Sequence, residues 1–209
     1  MSNQSIADAL LELIGKPAAE TIIAFIPTAM NADTSNKVWF INDLLNIKNQ
    51  GFKFTDIVDI SALEENIWLP RIKAADVLFF SGGNSSHLMR WIKESKLDKM
   101  LPELLKTKVY AGISAGSIVT NPKLTMSSES KKVYYEETTG YRSESGLGLV
   151  EFYVRPHYNS PLFRHARKEY IEEIAKKIKK TVYAIDDQSA LKVMDGKVEV
   201  VGEGEWLKI

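Results

Sequence analysis

Val109-Tyr110-Ala111-Gly112-Ile113-Ser114-Ala115-Gly116-Ser117 sets a short apolar run directly before a G-x-S-x-G pattern. The run reads as a buried strand and the residues after it as the start of a helix. That is the context in which the pattern carries chemical meaning. A sharp strand-to-helix turn thrusts a serine hydroxyl clear of the strand end. Small residues must flank it where the backbone crowds, and the orphan N–H groups of the next helix face the same spot. The bland alternative is a tight turn with no chemistry, and five residues alone do not separate the two.

Working outward, Thr21-Ile22-Ile23-Ala24-Phe25-Ile26 and Val77-Leu78-Phe79-Phe80 are uniformly apolar. Such runs suit strands buried on both faces, as in a parallel sheet. Residues 52–58, 150–154 and 181–185 read as further strands. Helices are predicted between them. The first carries Ile6, Leu10, Leu11, Leu13 and Ile14, capped by Ser5 and stopped by Gly15. A second spans 35–50 with Val38, Ile41, Leu44 and Leu45 inward and Gly51 as its stop. Ser61-Ala62-Leu63-Glu64 has capping-box form and opens a helical stretch that Pro70 kinks or divides. Leu88, Trp91 and Ile92 mark another helix, and residues 164–180 a basic amphipathic one. Residues 123–148 are polar without a clean period and read as a functional or disordered loop. At the end, Asp195-Gly196 suits a two-residue turn between strands 190–194 and 197–201. The expected fold is α/β: one domain over 1–209, a mostly parallel sheet flanked by helices, and a C-terminal β-hairpin.

Composition agrees and excludes. A chain of 209 residues buries roughly 70% of its surface, enough for a full core. With 27 basic and 27 acidic side chains there is no basic footprint for nucleic acid. The absence of Cys removes disulfides, thiolate zinc sites and any cysteine nucleophile. No run approaches the ~20 apolar residues that cross a bilayer. Ile6 to Ile14 is interrupted by Asp8 and Glu12, so no signal peptide is predicted and a cytoplasmic location is expected.

A base for Ser114 must be a histidine, and only His87, His157 and His165 exist. No Asp lies between Ser114 and either later His. The order Ser, then His, then acid is readily built from Ser114, His157 in Arg155-Pro156-His157-Tyr158, and an acid in Ile185-Asp186-Asp187. Ends of parallel strands on one sheet edge are where such side chains converge. His157 could equally be a packed core histidine, and the Asp pair a turn cap. His165 opens a charged helix and reads as solvated; His87, in the first turn after the glycine pair, ranks second. Gly82-Gly83-Asn84 lets backbone N–H groups face a cleft, so the Gly83 and Ala115 N–H groups form a candidate oxyanion hole. Three scattered His make no zinc set, and neither metal nor organic cofactor is expected.

These residues resemble the dipeptidase E family of serine peptidases, which also contains the cyanophycinases. Five pieces match in order: Phe25-Ile26-Pro27-Thr28-Ala29, Phe80-Ser81-Gly82-Gly83-Asn84, Gly112-Ile113-Ser114-Ala115-Gly116, Pro156-His157-Tyr158 and Ile185-Asp186-Asp187. The resemblance implies the class I glutamine amidotransferase (flavodoxin-like) architecture, with serine in place of its cysteine. It implies Ser114 as nucleophile, His157 as base and an acid at Asp187, with Asp186 and Glu129 as alternatives. It also implies a small-peptide substrate, Asp-Xaa among them, and a cation to read the carboxylate. Arg155 is the candidate, with Asn84 as a second substrate contact and Arg142, Arg164 and Arg167 also available. Family members usually open with an apolar strand, where this chain has Ser2-Asn3-Gln4. A monomer or homodimer is expected. The same triad would also serve a small-molecule esterase or amidase, and the fold a non-catalytic binder.

Overall fold

The computed structural model describes residues 3–209. Four parallel strands form the central sheet: β1 (Ile22–Ile26), β2 (Phe54–Ile57), β3 (Val77–Phe80) and β4 (Val109–Gly112), in the order β2-β1-β3-β4. Ile26 pairs with Phe80 and Phe80 with Gly112, so β1, β3 and β4 end level along one edge. The uniformly apolar strands are explained by two cores. Ala24, Ile26, Leu78 and Phe80 face α4 (Glu65–Ala74), α5 (Ser85–Glu94) and α6 (Leu97–Leu104) through Trp68, Ile72, Leu88, Ile92 and Leu101. Ile23, Phe25, Val77 and Phe79 face α1 (Gln4–Ile14) and α3 (Val38–Asn49) through Leu10, Phe40, Leu44 and Ile47. The period-two alternation of a strand sends neighbouring residues to opposite cores.

The remaining elements extend this frame. Short α2 (Thr28–Asn31) follows β1, and short α7 (Ala115–Ile118) follows β4. Next comes α8 (Glu129–Thr139), then β5 (Tyr153–Arg155), α9 (Lys168–Ile178) and β6 (Val182–Ile185). β5 and β6 are parallel, and β9 (Trp206–Lys208) joins β6 antiparallel. The Asn121 amide donates to the Val154 carbonyl (3.1 Å) and accepts from its N–H (2.8 Å), serving β5 as a strand partner would. β7 (Ser189–Met194) and β8 (Lys197–Gly202) form the expected hairpin, with positive φ at both Asp195 and Gly196. Among the described residues no helix is long and apolar enough to cross a membrane.

Several local expectations are corrected. Asn3, not Ser5, caps α1, accepting from the Ile6 N–H, while Gly15 ends it at φ 73° as expected. In α3 the inward side is Phe40, Leu44 and Ile47; Val38, Ile41 and Leu45 are exposed. Apolar residues occupy both sides of that helix, so periodicity alone found Leu44 but set three exposed residues beside it. Ser61 closes a turn on Asp59 and the helix begins at Glu65, passing Pro70 undivided. Pro70 leaves the Asn66 carbonyl without its helical donor, yet the helix continues to Ala74. The polar stretch 123–148 holds α8. Its inward face is Lys132 and Tyr135, a pattern with no apolar period. Residues 164–166 form a separate 3-10 turn before α9, and β9 is a strand with no clear signal.

Candidate active site

Ser114 occupies the turn between β4 and α7 at φ 50°, ψ −103°. For a residue with a Cβ this lies outside the ordinary left-handed region and costs on the order of 1–3 kcal/mol. The surroundings over-determine it. The Gly116 N–H donates to the Ser81 and Ile113 carbonyls, and the Ile113 N–H to the Phe80 carbonyl. Ser117 Oγ donates to the Gly112 carbonyl at 2.7 Å. The two glycines of the pattern are steric necessities. A Cβ at Gly116 would sit 2.4 Å from the Phe80 carbonyl oxygen, and one at Gly112 would sit 2.6 Å from the Gly116 carbonyl carbon.

The other predicted residues arrive from β5 and β6. His157 adopts φ 65° just past β5, and the next N–H, of Tyr158, donates to the Ile185 carbonyl at the end of β6. His157 Nε2 lies 2.8 Å from Ser114 Oγ, and its Nδ1 lies 2.7 Å from Asp187 Oδ1. The His157 hydrogen bond holds the Asp187 carboxyl below the usual aspartate range, against partial burial. An ionised carboxylate can only accept, so Nδ1 carries the proton and Nε2 is free to accept from the serine hydroxyl. Of the alternative acids, Asp186 accepts from the Gln188 and Glu205 N–H groups and from Ser189 Oγ, capping a turn. Glu129 pairs with Lys132 and Arg142. His87 bonds the Tyr135 hydroxyl at 2.9 Å, and His165 stacks on Tyr170. Neither of these histidines meets Ser114.

The Gly82–Gly83 loop lies beside the serine. A Cβ at Gly82 would touch Ser114 Cβ at 3.4 Å, and one at Gly83 would sit 2.2 Å from the Ala29 carbonyl oxygen. Gly83 also has φ 135°, so only glycine fits there. Among the described residues no acceptor takes the Gly83 or Ala115 N–H. Asn84 is 1% exposed; its side-chain Oδ1 accepts from the Ser86 and His87 N–H groups and its Nδ2 donates to the Lys131 carbonyl. Its side chain ties the loop to α5 and α8, and the residue lines the same cleft as Ser114 and His157.

Arg155 is 6% exposed and lines the same cleft as Ser114 and His157. One guanidinium nitrogen donates to the Met126 carbonyl, while the buried Nε has no partner among the described residues. Burial pulls its pKa down to about 10, so it stays a cation at neutral pH. Arg142 is taken up by Glu129, Glu136 and Glu144.

Sequence reasoning missed two contributors. α8 supplies a wall of the cleft, where Lys131 Nζ donates to the Gly83 carbonyl (3.2 Å) and to buried Asp33. Spacing within 123–148 gave no sign of it. On α3, burial raises the Asp43 carboxyl above its usual range; Asp187's charge pushes the same way and His157 opposes it.

The family model of Peptidase family S51 matches residues 1–201. The chain belongs to peptidase family S51. It is therefore a peptidase, a hydrolase. It is 28% identical to a Peptidase E of Nostoc sp. over 188 residues, covering 86% of this chain and 72% of that one. An uncharacterized peptidase of Listeria innocua is 27% identical over 179 residues, 84% of this chain and 82% of the relative. The fold matches a crystal structure of a candidate Peptidase E protein from Listeria monocytogenes at TM-score 0.76 and 21% identity, over 97% of this chain and 96% of that one. The resemblance read from the five motifs and the mostly parallel α/β architecture both stand.

Proposed function

We propose that this S51 peptidase is a serine peptidase that hydrolyses small peptides bearing an acidic side chain, Asp-Xaa dipeptides first among them. The observation that carries the reading is the unbroken chain Asp187–His157–Ser114, at 2.7 and 2.8 Å, just past the ends of β6, β5 and β4. As Ser114 Oγ attacks the peptide carbonyl, its proton passes to His157 Nε2 and later to the leaving amine. Asp187 holds the imidazole tautomer and stabilises the imidazolium. The Gly83 and Ala115 N–H groups receive the oxyanion, each donor worth about 3–4 kcal/mol in the best-measured cases. Water then attacks the acyl-enzyme, with His157 as base again.

Arg155 supports the acidic preference. A buried guanidinium without a carboxylate partner is costly, and a substrate carboxylate supplies the missing charge and acceptors. The cleft also presents Ser127 Oγ, buried without a partner among the described residues. The test is a dipeptide panel scored by released amino acids, run beside Ser114→Ala. Asp-Xaa peptides should be cleaved best, and the alanine variant should lose about ten-thousand-fold or more in kcat while melting normally. A Ser114→Ala enzyme with full activity would end the reading. Hydrolysis of esters but of no peptide would replace the peptide substrate.

A further inference from the structure

The face of the His157 ring is covered as deliberately as its edges. Phe163 lies on it, ring centroids 4.2 Å apart and planes 10° from parallel. The ring is delivered by a short closed loop. Ser160 N–H donates to the His157 carbonyl, Phe163 N–H to the Ser160 carbonyl, and Asn159 N–H to the Ala166 carbonyl. Asn159, at φ 57°, also ties its side-chain amide to Glu205. The adjacent Leu162 is 85% exposed. The same turn leaves Leu162 to solvent and brings the Phe163 ring to the imidazole.

We infer that Phe163 is a positioning residue of the peptidase reaction, whose ring fixes the plane of His157 and stabilises the charge that the imidazole acquires. The inference rests on the triad reading above. When Ser114 Oγ bonds to the acyl carbon, its proton moves to Nε2 and the ring becomes a cation. One edge of that cation meets the Asp187 carboxylate and one face meets the negative π-face of Phe163. Attraction between a cation and an aromatic face operates within about 6 Å, and it grows when water is kept out. The interaction is stronger for the imidazolium than for the neutral ring, so it lowers the barrier rather than merely tightening the resting state. The other charges near His157 are Asp187 after β6 and Asp43 on α3, with Arg155, Lys131 and Lys132 around the cleft. All of them stay in place when only Phe163 is changed.

Labelling of Ser114 by a fluorophosphonate needs the same proton transfer and no knowledge of the natural substrate. Phe163→Leu keeps apolar bulk and removes the π-face; Phe163→Tyr keeps the face. The leucine variant should label about three- to thirty-fold more slowly than wild type. The tyrosine variant should restore the rate to within about twofold. Phe163→Met makes the same comparison if the leucine protein melts early. A leucine variant that labels at the wild-type rate, or a tyrosine variant as slow as leucine, would overturn the role of the ring. An unlabelled wild type, or a labelled Ser114→Ala, would overturn the triad itself and is read separately.

Discussion

On the sheet side of the cleft, the Gly82–Gly83 loop and the Ser114 turn are held backbone against backbone. Where α8 meets the cleft it is held by side-chain charges: Lys131 on Asp33, and Lys132 on Glu144. The first wall has no room for one added carbon at Gly83, Gly112 or Gly116. The second has hydrogen bonds that a change of pH can remove. The contrast divides the labour between a rigid side that places the nucleophile and a charge-fastened side that pH can adjust.

The strongest way to break this comparison is to exchange the roles of the two acids. Asp187→Asn leaves the geometry but reverses the hydrogen-bond demand on His157 Nδ1, favouring the wrong tautomer. A loss of about ten-thousand-fold in kcat is expected. Glu129→Gln on α8 should change kcat by less than about threefold, since among the described residues Glu129 pairs with Lys132 and Arg142 alone. If the glutamine variant were the dead one, the catalytic acid would belong to the α8 wall. Gly116→Ala comes next. Its Cβ would meet the Phe80 carbonyl, which is backbone and cannot swing away, so a loss of about 2–4 kcal/mol in urea unfolding should accompany inactivity. A normally stable, active alanine variant would show that the sheet side can yield.

The same contrast explains what could be read in the chain. Gly112, Ser114, Gly116 and Gly83 were legible because backbone crowding leaves few residue types possible, so chemistry and sequence pattern coincide. The apolar runs of β1 and β3 were legible because both of their faces are buried. Helix α8 was not, because its inward face is a lysine in an ion-pair cluster and a tyrosine, and neither writes an apolar period. The stripe of α3 was misread because Val38, Ile41 and Leu45 compete with Phe40, Leu44 and Ile47 at helical spacing. Phe163 reaches His157 through a loop whose turns carry no distinctive motif. Among the three acids considered for His157, the resemblance pointed to Asp187, and its carboxylate is the one that meets Nδ1. Asp186 caps a turn, and Glu129 pairs with Lys132 and Arg142.

The smallest expected effect sharpens the adjustable side. Asp33 is buried at its side chain and receives Lys131, Ser35 and Lys37. Burial alone would raise its carboxyl, yet the hydrogen bonds from Lys131 and Ser35 outweigh that and hold it well below the ordinary value of 3.8. A depressed folded-state value means that the unfolded chain takes up the proton first as pH falls. The stabilisation is therefore complete above the ordinary value and is lost on acidification through the depressed range. Asp33→Asn should cost about 1–2 kcal/mol at pH 7, the scale of hydrogen bonds to a charged group at a half-exposed lysine. The gap between wild type and variant should then narrow progressively in urea melts taken below the ordinary value. Asp56, Asp59 and Asp76 are depressed too, but they are common to both proteins and cancel in the difference. Activity should fall only a few-fold, because Lys131 keeps its bond to the Gly83 carbonyl when Asp33 is neutralised. A gap that stays constant with pH would mean that the Asp33–Lys131 pair does not fasten α8, and that this wall is held by packing as the other one is.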